Sequence, residues 1–270
     1  MTHDADSRFQ GSIPEFYDRY LVPMIFEPYA VDICARTVAH APARVLEVAA
    51  GTGVVTRHLA RELPAASQIV ATDLNPPMLA QAAAVGTARP VEWQPADAMK
   101  LPFDNGSFDA VVCQFGVMFF PDRPHALAEA RRVLKPGGVL LFNAWDRIEE
   151  NEFVFAITQA LDEIFPHNPP RFMHRGPHGY GDKAQISRDV VAGGFGAPQI
   201  ETVAHRSRSP NARDAVIAYC HGSPLRAEIE AQGPDALARA TDHATEALAR
   251  RFGRGAIDGR IQAHVVAVSA

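Results

Sequence analysis

The chain has 270 residues, 47% of them apolar and 21% charged, a balance that is ordinary for a globular protein. Its net charge of −5 provides no basic footprint for nucleic acid, and no apolar stretch approaches the roughly 18 residues of a membrane span. Cys34, Cys113 and Cys220 are far apart and lack Cys-x-x-Cys spacing, which indicates neither a disulfide framework nor a zinc site; with a polar, acidic start over Met1 to Asp6, a cytoplasmic location is expected.

Residues 1 to 11 read as a loose tail, and Pro14 to Tyr20 and Pro23 to His40 as two helices. Val45 to Val48 has the β-branched, apolar character of a strand buried on both faces, and Val54 to Leu63 carries apolar residues at helical spacing. Between them lies the small-residue turn Ala49-Ala50-Gly51-Thr52-Gly53. Glycine there can take φ > 0 and admits a ligand close to the backbone, while the helix start offers unpaired N–H groups. Ile69 to Asp73 is a second apolar run. It ends in a carboxylate 20 residues beyond Gly53, suited to the two ribose hydroxyls of a nucleoside-containing ligand.

Asn75-Pro76-Pro77-Met78-Leu79 starts a helix with proline where its missing N–H costs little. Val91 to Gln94 leads to Ala96-Asp97-Ala98, and Phe108 to Cys113 leads to Gln114; in an open parallel sheet such endings converge on one crevice. Asp122 to Leu134 reads as a helix, turned by Gly137-Gly138 into a strand from Val139 to Trp145. This alternation predicts an α/β fold, a doubly wound and mostly parallel sheet with right-handed crossovers. Beyond it, Glu149 to Phe165 is helical in pattern and His167 to Tyr180 is a loop rich in Pro, Gly and His, of a length that is usually functional or disordered. Asp182 to Ala192 reads as a helix, Gln199 to Arg206 and Gly259 to Val268 as a sixth and a seventh strand, and residues 211 to 251 as two or three helices broken at Gly222-Ser223-Pro224 and Gly233-Pro234.

Glu47 to Gly53, Asp73, Asp97-Ala98, Leu101 to Asp109 and Arg132 to Gly138, in that order and spacing, resemble a class I S-adenosylmethionine-dependent methyltransferase, strongly over residues 40 to 146 and in outline elsewhere. Ala96 to Trp145 also resembles quinone-biosynthesis C-methyltransferases, whose long apolar substrates call for a Phe- and Met-lined channel; Phe115, Met118, Phe119 and Phe120 are available for one. The resemblance implies a Rossmann-like, seven-stranded sheet whose last strand is antiparallel and inserted beside the sixth. It divides the chain into an N-terminal helical cap (1–40), an S-adenosylmethionine-binding core (41–146) and the remainder of the sheet (147–270) with lid insertions at 149–180 and 211–251. One departure is Ala49, where the family has glycine; alanine is comfortable only at φ < 0, so this residue is expected to remain in strand conformation.

The resemblance also implies the roles in the cofactor site. Asp73 takes the ribose hydroxyls, and Gly51 and Gly53 let the backbone approach the amino-acid tail and ribose. Glu47 acts near the tail ammonium. Asp97 and the Ala98 N–H meet the adenine, Leu74 and Met78 pack on it, and Gln114 faces the methionine part. The N-terminal helices cover the cofactor through the aromatic group Phe16, Tyr17 and Tyr20, with Tyr20 placed in the site. If the small-molecule acceptor must lose a proton, His174, His178, Tyr180 and His221 are the candidate bases, a histidine near its free pKa of about 6.5 being suited to the task. Arg171, Arg175 and Arg206 are candidates for holding an anionic substrate. No metal is implied, and homodimerisation is left open. A nicotinamide-dependent oxidoreductase shares the strand, turn and carboxylate, but its fingerprint wants a small residue where Thr56 stands. A non-catalytic S-adenosylmethionine-binding sensor or scaffold is the other alternative, discriminated by whether an open apolar pocket adjoins the cofactor site.

Overall fold

A computed structural model describes residues 11–270, so that all of the expected tail but Gly11 lies outside the described residues. The fold starts with one continuous helical run: α1 (Ile13–Phe16), a ten-residue π-helical stretch (Tyr17–Phe26) and α2 (Glu27–Ala39). Two separate helices were expected because Pro23 ends an α-helix, its ring striking the carbonyl four residues back. Here Pro23 lies inside the π-helical stretch, whose wider i→i+5 turn carries the chain past it.

The seven strands are β1 (Arg44–Val48), β2 (Gln68–Asp73), β3 (Glu92–Pro95), β4 (Phe108–Gln114), β5 (Leu134–Trp145), β6 (Gln199–Ser209) and β7 (Ile257–Ser269). They form one sheet in the order β3-β2-β1-β4-β5-β7-β6. β1 to β5 pair in parallel, and β7 runs antiparallel between β5 and β6. This is the expected doubly wound, Rossmann-like sheet with its last strand inserted beside the sixth. The alternating half of the chain supplies α3 (Val54–Glu62), α4 (Pro76–Val85) and α5 (Arg123–Val133) as crossovers. β5 starts earlier than expected because Leu134 pairs with Phe108 before the register shifts and resumes at Val139 opposite Ala110. The Lys135 to Gly138 segment is the bulge between these pairs, with Gly137 at φ 77° and its N–H donated to the Ala270 carbonyl at 3.1 Å.

The second half adds α6 (Glu152–Ile164), a short α7 (Phe172–Arg175) inside the Pro- and Gly-rich loop, α8 (Lys183–Ala192), α9 (Ala212–His221), α10 (Leu225–Glu230) and α11 (Ala236–Phe252). α5 and α8 start at Asp122 and Asp182, whose carboxylates accept the N–H of His125 and Ala184. α11 packs against α6 and α9, and α9 packs against the π-helical stretch, which brings the insertions and the N-terminal run to one end of the sheet. Val45, Leu46, Val111, Val112, Leu141 and Phe142 are fully buried at the sheet centre. Among the described residues no helix is long and apolar enough to cross a membrane.

Candidate functional site

The carboxyl ends of β1 to β5 lie side by side, and one cavity of about 520 Å³ runs along them, within the 300–1,000 Å³ typical of small-molecule sites. Ladder bonds continue past the strand ends and fix its floor: the Ala50 N–H reaches the Thr72 carbonyl, the Ala96 N–H that of Asp73 and the Phe115 N–H that of Asn143.

The turn after β1 has three left-handed residues, Ala49 (φ 55°), Gly51 (φ 58°) and Gly53 (φ 82°). Ala49 has therefore left the strand conformation expected of it. Its methyl group is accommodated by Gly116, where an added Cβ would fall 2.5 Å from it. The two glycines serve different ends. Gly51 lines the cavity, and a Cβ there would meet nothing nearer than the Met78 Cε at 3.6 Å and the Tyr17 hydroxyl at 3.8 Å. Gly53 is buried outside the cavity, and a Cβ there would lie 2.9 Å from the Trp93 ring and 3.1 Å from Ala82. The expectation that Gly53 admits the ligand is corrected: it admits the packing of α3 and α4 against the sheet.

Asp73 is buried at the cavity wall. Its Oδ2 accepts the Gly51 N–H at 2.9 Å, and its Oδ1 accepts the Asn75 N–H at 2.8 Å and side-chain amide at 3.3 Å. Burial raises its pKa while these donors oppose the rise. Glu47 does not reach the cavity. It is 1% exposed, accepts the Thr56 hydroxyl at 2.5 Å and has its pKa pushed up to about 8 by burial. Thr56, the residue that does not fit the dinucleotide pattern, is thus what anchors Glu47 beneath the turn.

Leu74, Met78, Asp97, Ala98 and Gln114 all line the cavity. Asp97 is exposed and also holds its own loop, accepting the Met99 N–H at 2.8 Å. The Gln114 amide donates to the Phe26 carbonyl at 3.3 Å. Tyr20 does not line the cavity; it stacks on Phe16 and lies under Arg19. Tyr17, Leu21, Ile25 and Phe26 are the lining residues of the N-terminal run. The i→i+5 pattern places side chains four to five apart on one face, so that Tyr17 is followed by Leu21 rather than by Tyr20. The remaining motif residues are structural. Arg132 pairs with Glu129 and holds the carbonyls of Leu101 and Phe103, and Lys135 pairs with Asp109 at 2.7 Å, which also accepts the Arg44 N–H.

Away from Asp73 the cavity turns apolar. Phe115 and Trp145 stack at 3.9 Å with 5° between their rings, and Phe119, Phe120, Phe172 and Met173 complete an aromatic wall. Met118 is fully buried outside it, so the expected channel contains Phe115, Phe119 and Phe120 alone of the four. Of the candidate bases only His178 lines the cavity. Its Nδ1 lies 2.8 Å from the Asp146 carbonyl, and burial pushes its pKa down to about 4, well away from the free value expected. Tyr180 is buried elsewhere, donating to Asp189 at 2.9 Å beneath Arg123, and burial raises its pKa. His174 and His221 also lie outside the cavity with pKa values lowered by burial, His221 beside Thr241. Arg171, Arg175 and Arg206 are paired with Asp162, Glu228 and Asp258 and do not reach the cavity. Sequence reasoning missed Trp145, Phe172, Met173 and Tyr219 as lining residues. The termination of β5 at Trp145 was the one signal that could have found any of them.

Comparison with known proteins agrees with this geometry. A family model described as a methyltransferase domain matches residues 46–142. The demethylmenaquinone methyltransferase of Thermus thermophilus is 44% identical over 114 residues, which are 42% of this chain and 50% of that protein. The chain thus spans about half the length of the curated relatives it matches. Among solved structures, the YcgJ protein of Bacillus subtilis has a TM-score of 0.57 at 17% identity, covering 90% of this chain and 98% of that one. A SAM-dependent methyltransferase from Thermotoga maritima has a TM-score of 0.53 at 15% identity, covering 96% of each. These two share the fold; the sequence match falls on the glycine turn, Asp73, Asp97 and the β4–β5 segment. Over residues 46–142 the chain is thus similar to methyltransferase domains, and as a whole it shares the fold of these solved structures.

Proposed function

We propose that the protein transfers the methyl group of S-adenosylmethionine to an O, N or C atom of a small apolar molecule by in-line displacement, with S-adenosylhomocysteine as the second product. The observation that carries this reading is the union of two unlike ends in one cavity: a polar end at Gly51, Asp73, Asn75 and Asp97, and an aromatic end at Phe115, Phe119, Trp145 and Phe172.

The polar end fits the cofactor. Three donors occupy Asp73, and a carboxylate has about four acceptor positions, which leaves one for a ribose hydroxyl. Gly51 lines the cavity without a side chain and suits the tail, Asp97 and the Ala98 N–H suit the adenine edge, and Leu74 and Met78 suit its faces. When bound, the sulfonium supplies an already activated methyl group. The chain's own work is then to align the acceptor and exclude water. Tyr17, Leu21 and Phe26 from the N-terminal run, the segment around α7 and Tyr219 of α9 serve as the cap and lid over the core at 41–146. A closed aromatic end would favour a non-catalytic binder; here it is continuous with the polar end. The Thermus relative's name makes demethylmenaquinone the first acceptor to try.

Titration calorimetry of the purified protein tests the reading. Micromolar binding of S-adenosylmethionine and S-adenosylhomocysteine is expected, with none of NAD, followed by transfer of labelled methyl to a panel of apolar phenols and quinols. Binding of NAD, or of neither sulfur ligand, would overturn it.

A further inference from the structure

The aromatic end of the cavity has two polar groups that make no hydrogen bond with any described residue. One is Nε2 of His178, from the segment after α7; the other is the hydroxyl of Tyr219, on α9. The other polar side chains lining that end are engaged. Asn151 donates to the Arg147 and Gln262 carbonyls and accepts the Gln262 N–H, and the Ser223 hydroxyl donates to the Tyr219 carbonyl at 2.7 Å. Tyr219 is buried and His178 half-buried at the cavity wall; polar groups so placed are rarely left unpaired without a use, and these two come one from each insertion, converging on a wall that is otherwise aromatic.

The hydrogen-bonding character of each is fixed. A carbonyl oxygen can only accept, so the His178 nitrogen 2.8 Å from the Asp146 carbonyl is the protonated one, and Nε2 carries the lone pair. Asp146 is itself held, its carboxylate accepting the Arg147 N–H and the Gln262 amide, both at 2.7 Å. Burial keeps the ring neutral, assisted by the neighbouring His174 and opposed by Asp146 and Glu149, so Nε2 remains an acceptor at physiological pH. The Tyr219 phenol, its pKa raised by burial, remains protonated and can donate.

We propose that His178 and Tyr219 are the acceptor-recognition pair: Nε2 of His178 accepts from a hydroxyl of the methyl acceptor, and the Tyr219 hydroxyl donates to a second oxygen on it. This rests on the proposed methyl transfer and names its substrate class, an aromatic molecule with one hydroxyl and one further oxygen. Where the hydroxyl oxygen is itself methylated, the O–CH₃ bond forms as the S–CH₃ bond breaks, the bonding pair stays on sulfur, and the hydroxyl proton passes to Nε2 and then to solvent.

Three matched probes test the pair on protein saturated with S-adenosylhomocysteine: 4-hydroxyacetophenone has both features, 4-methoxyacetophenone lacks the donor, and 4-ethylphenol lacks the carbonyl. The wild type should prefer the first over each of the others by several-fold to about tenfold, the range of one hydrogen bond. His178→Phe should abolish the preference over 4-methoxyacetophenone alone, and Tyr219→Phe the preference over 4-ethylphenol alone. Unchanged affinity for S-adenosylhomocysteine shows that each variant is folded. Absence of the preferences in the wild type, failure to bind any probe, or their persistence in the variants would overturn the proposal. Failure to bind S-adenosylhomocysteine at all would instead overturn the methyltransfer reading.

Discussion

At the polar end of the cavity the lining residues follow directly on strands: Ala49 and Gly51 after β1, Asp73 and Leu74 at β2, Asp97 and Ala98 after β3, Gln114 at β4. At the aromatic end Phe115 and Trp145 still close β4 and β5, but Phe26, Phe172, Met173 and Tyr219 come from the N-terminal run, the segment around α7, and α9, brought together by packing such as that of α9 on the π-helical stretch and of α11 on α6 and α9. The first end is specified by local backbone geometry. A strand must stop, a turn must go left-handed and a helix must start, and each requirement leaves a residue type behind. The second end is specified by tertiary packing, which many apolar residues can satisfy. Under the proposed methyl transfer, divergence in the acceptor can therefore be confined largely to the insertions while the polar end stays intact.

The sharpest way to break this contrast is Asp73→Ala, which should remove cofactor binding while leaving the aromatic wall in place. Asp73 accepts from both Gly51 and Asn75 and is the proposed ribose ligand. At about 1.5–3 kcal/mol for a hydrogen bond to a charged group, losing the ribose contacts and the turn anchor predicts at least a hundredfold weaker binding of S-adenosylhomocysteine in calorimetry. A loss of less than tenfold would mean that Asp73 only supports the turn.

Next is a comparison inside the turn. Gly53→Ala places a methyl 2.9 Å from Trp93 at φ 82°, whereas Gly51→Ala adds one in ordinary contact with Met78 and Tyr17 at φ 58°. Strain and overpacking together should cost Gly53→Ala about 2–4 kcal/mol in urea unfolding, and Gly51→Ala about 1 kcal/mol. Ligand affinity should order the two the other way, with Gly51→Ala the weaker binder. Equal stability losses would show that the turn and not the Trp93 contact decides.

What the sequence revealed follows the same division. The alternating strands and helices and the convergence at Asp73, Asp97 and Gln114 were legible because period, glycine and terminal polar residues are local signals, whereas the inserted last strand came from the family resemblance. Tyr20 was placed in the site as one of an aromatic group on helices that the resemblance implies cover the cofactor; in the π-helical stretch around Pro23 it is Tyr17, Leu21, Ile25 and Phe26 that face the cavity. Three of the four candidate bases, His174, Tyr180 and His221, lie outside the cavity for another reason. Nothing local says whether Tyr180 meets the ligand or, as found, Asp189.

Glu47 gives a smaller and pH-dependent effect. Burial raises its folded-state pKa from 4.5 to about 8, so the folded protein holds a proton that the unfolded chain releases between those values. Its contribution to stability is full below about pH 4.5, declines as pH rises through 8 and is lost above that. Glu47→Gln keeps the shape without the titration. At about 1.4 kcal/mol per pKa unit, and allowing for screening and relaxation, the stability difference between pH 5 and pH 8 should shrink by about 1–3 kcal/mol in the variant. Parallel pH profiles for the two proteins would show that Glu47 is ionised in its buried setting.

The smallest effect should come from Ala49→Gly, and its sign is informative. Ala49 holds φ 55° at a position where L-residues are strained by about 1–2 kcal/mol, which glycine relieves. Glycine also gives the unfolded chain more freedom, at about 0.4–1 kcal/mol, and the variant loses a methyl that abuts the space left by Gly116. The balance predicts a gain of about 0.5 kcal/mol in denaturant unfolding, with cofactor affinity unchanged within about twofold. Phe115 holds a similar φ of 54° at the end of β4, where its stack on Trp145 supports it. A loss of stability in Ala49→Gly would mean that the Ala49 methyl supports its turn in the same way, through the contact with Gly116, and that the alanine in this glycine-rich turn is a packing residue.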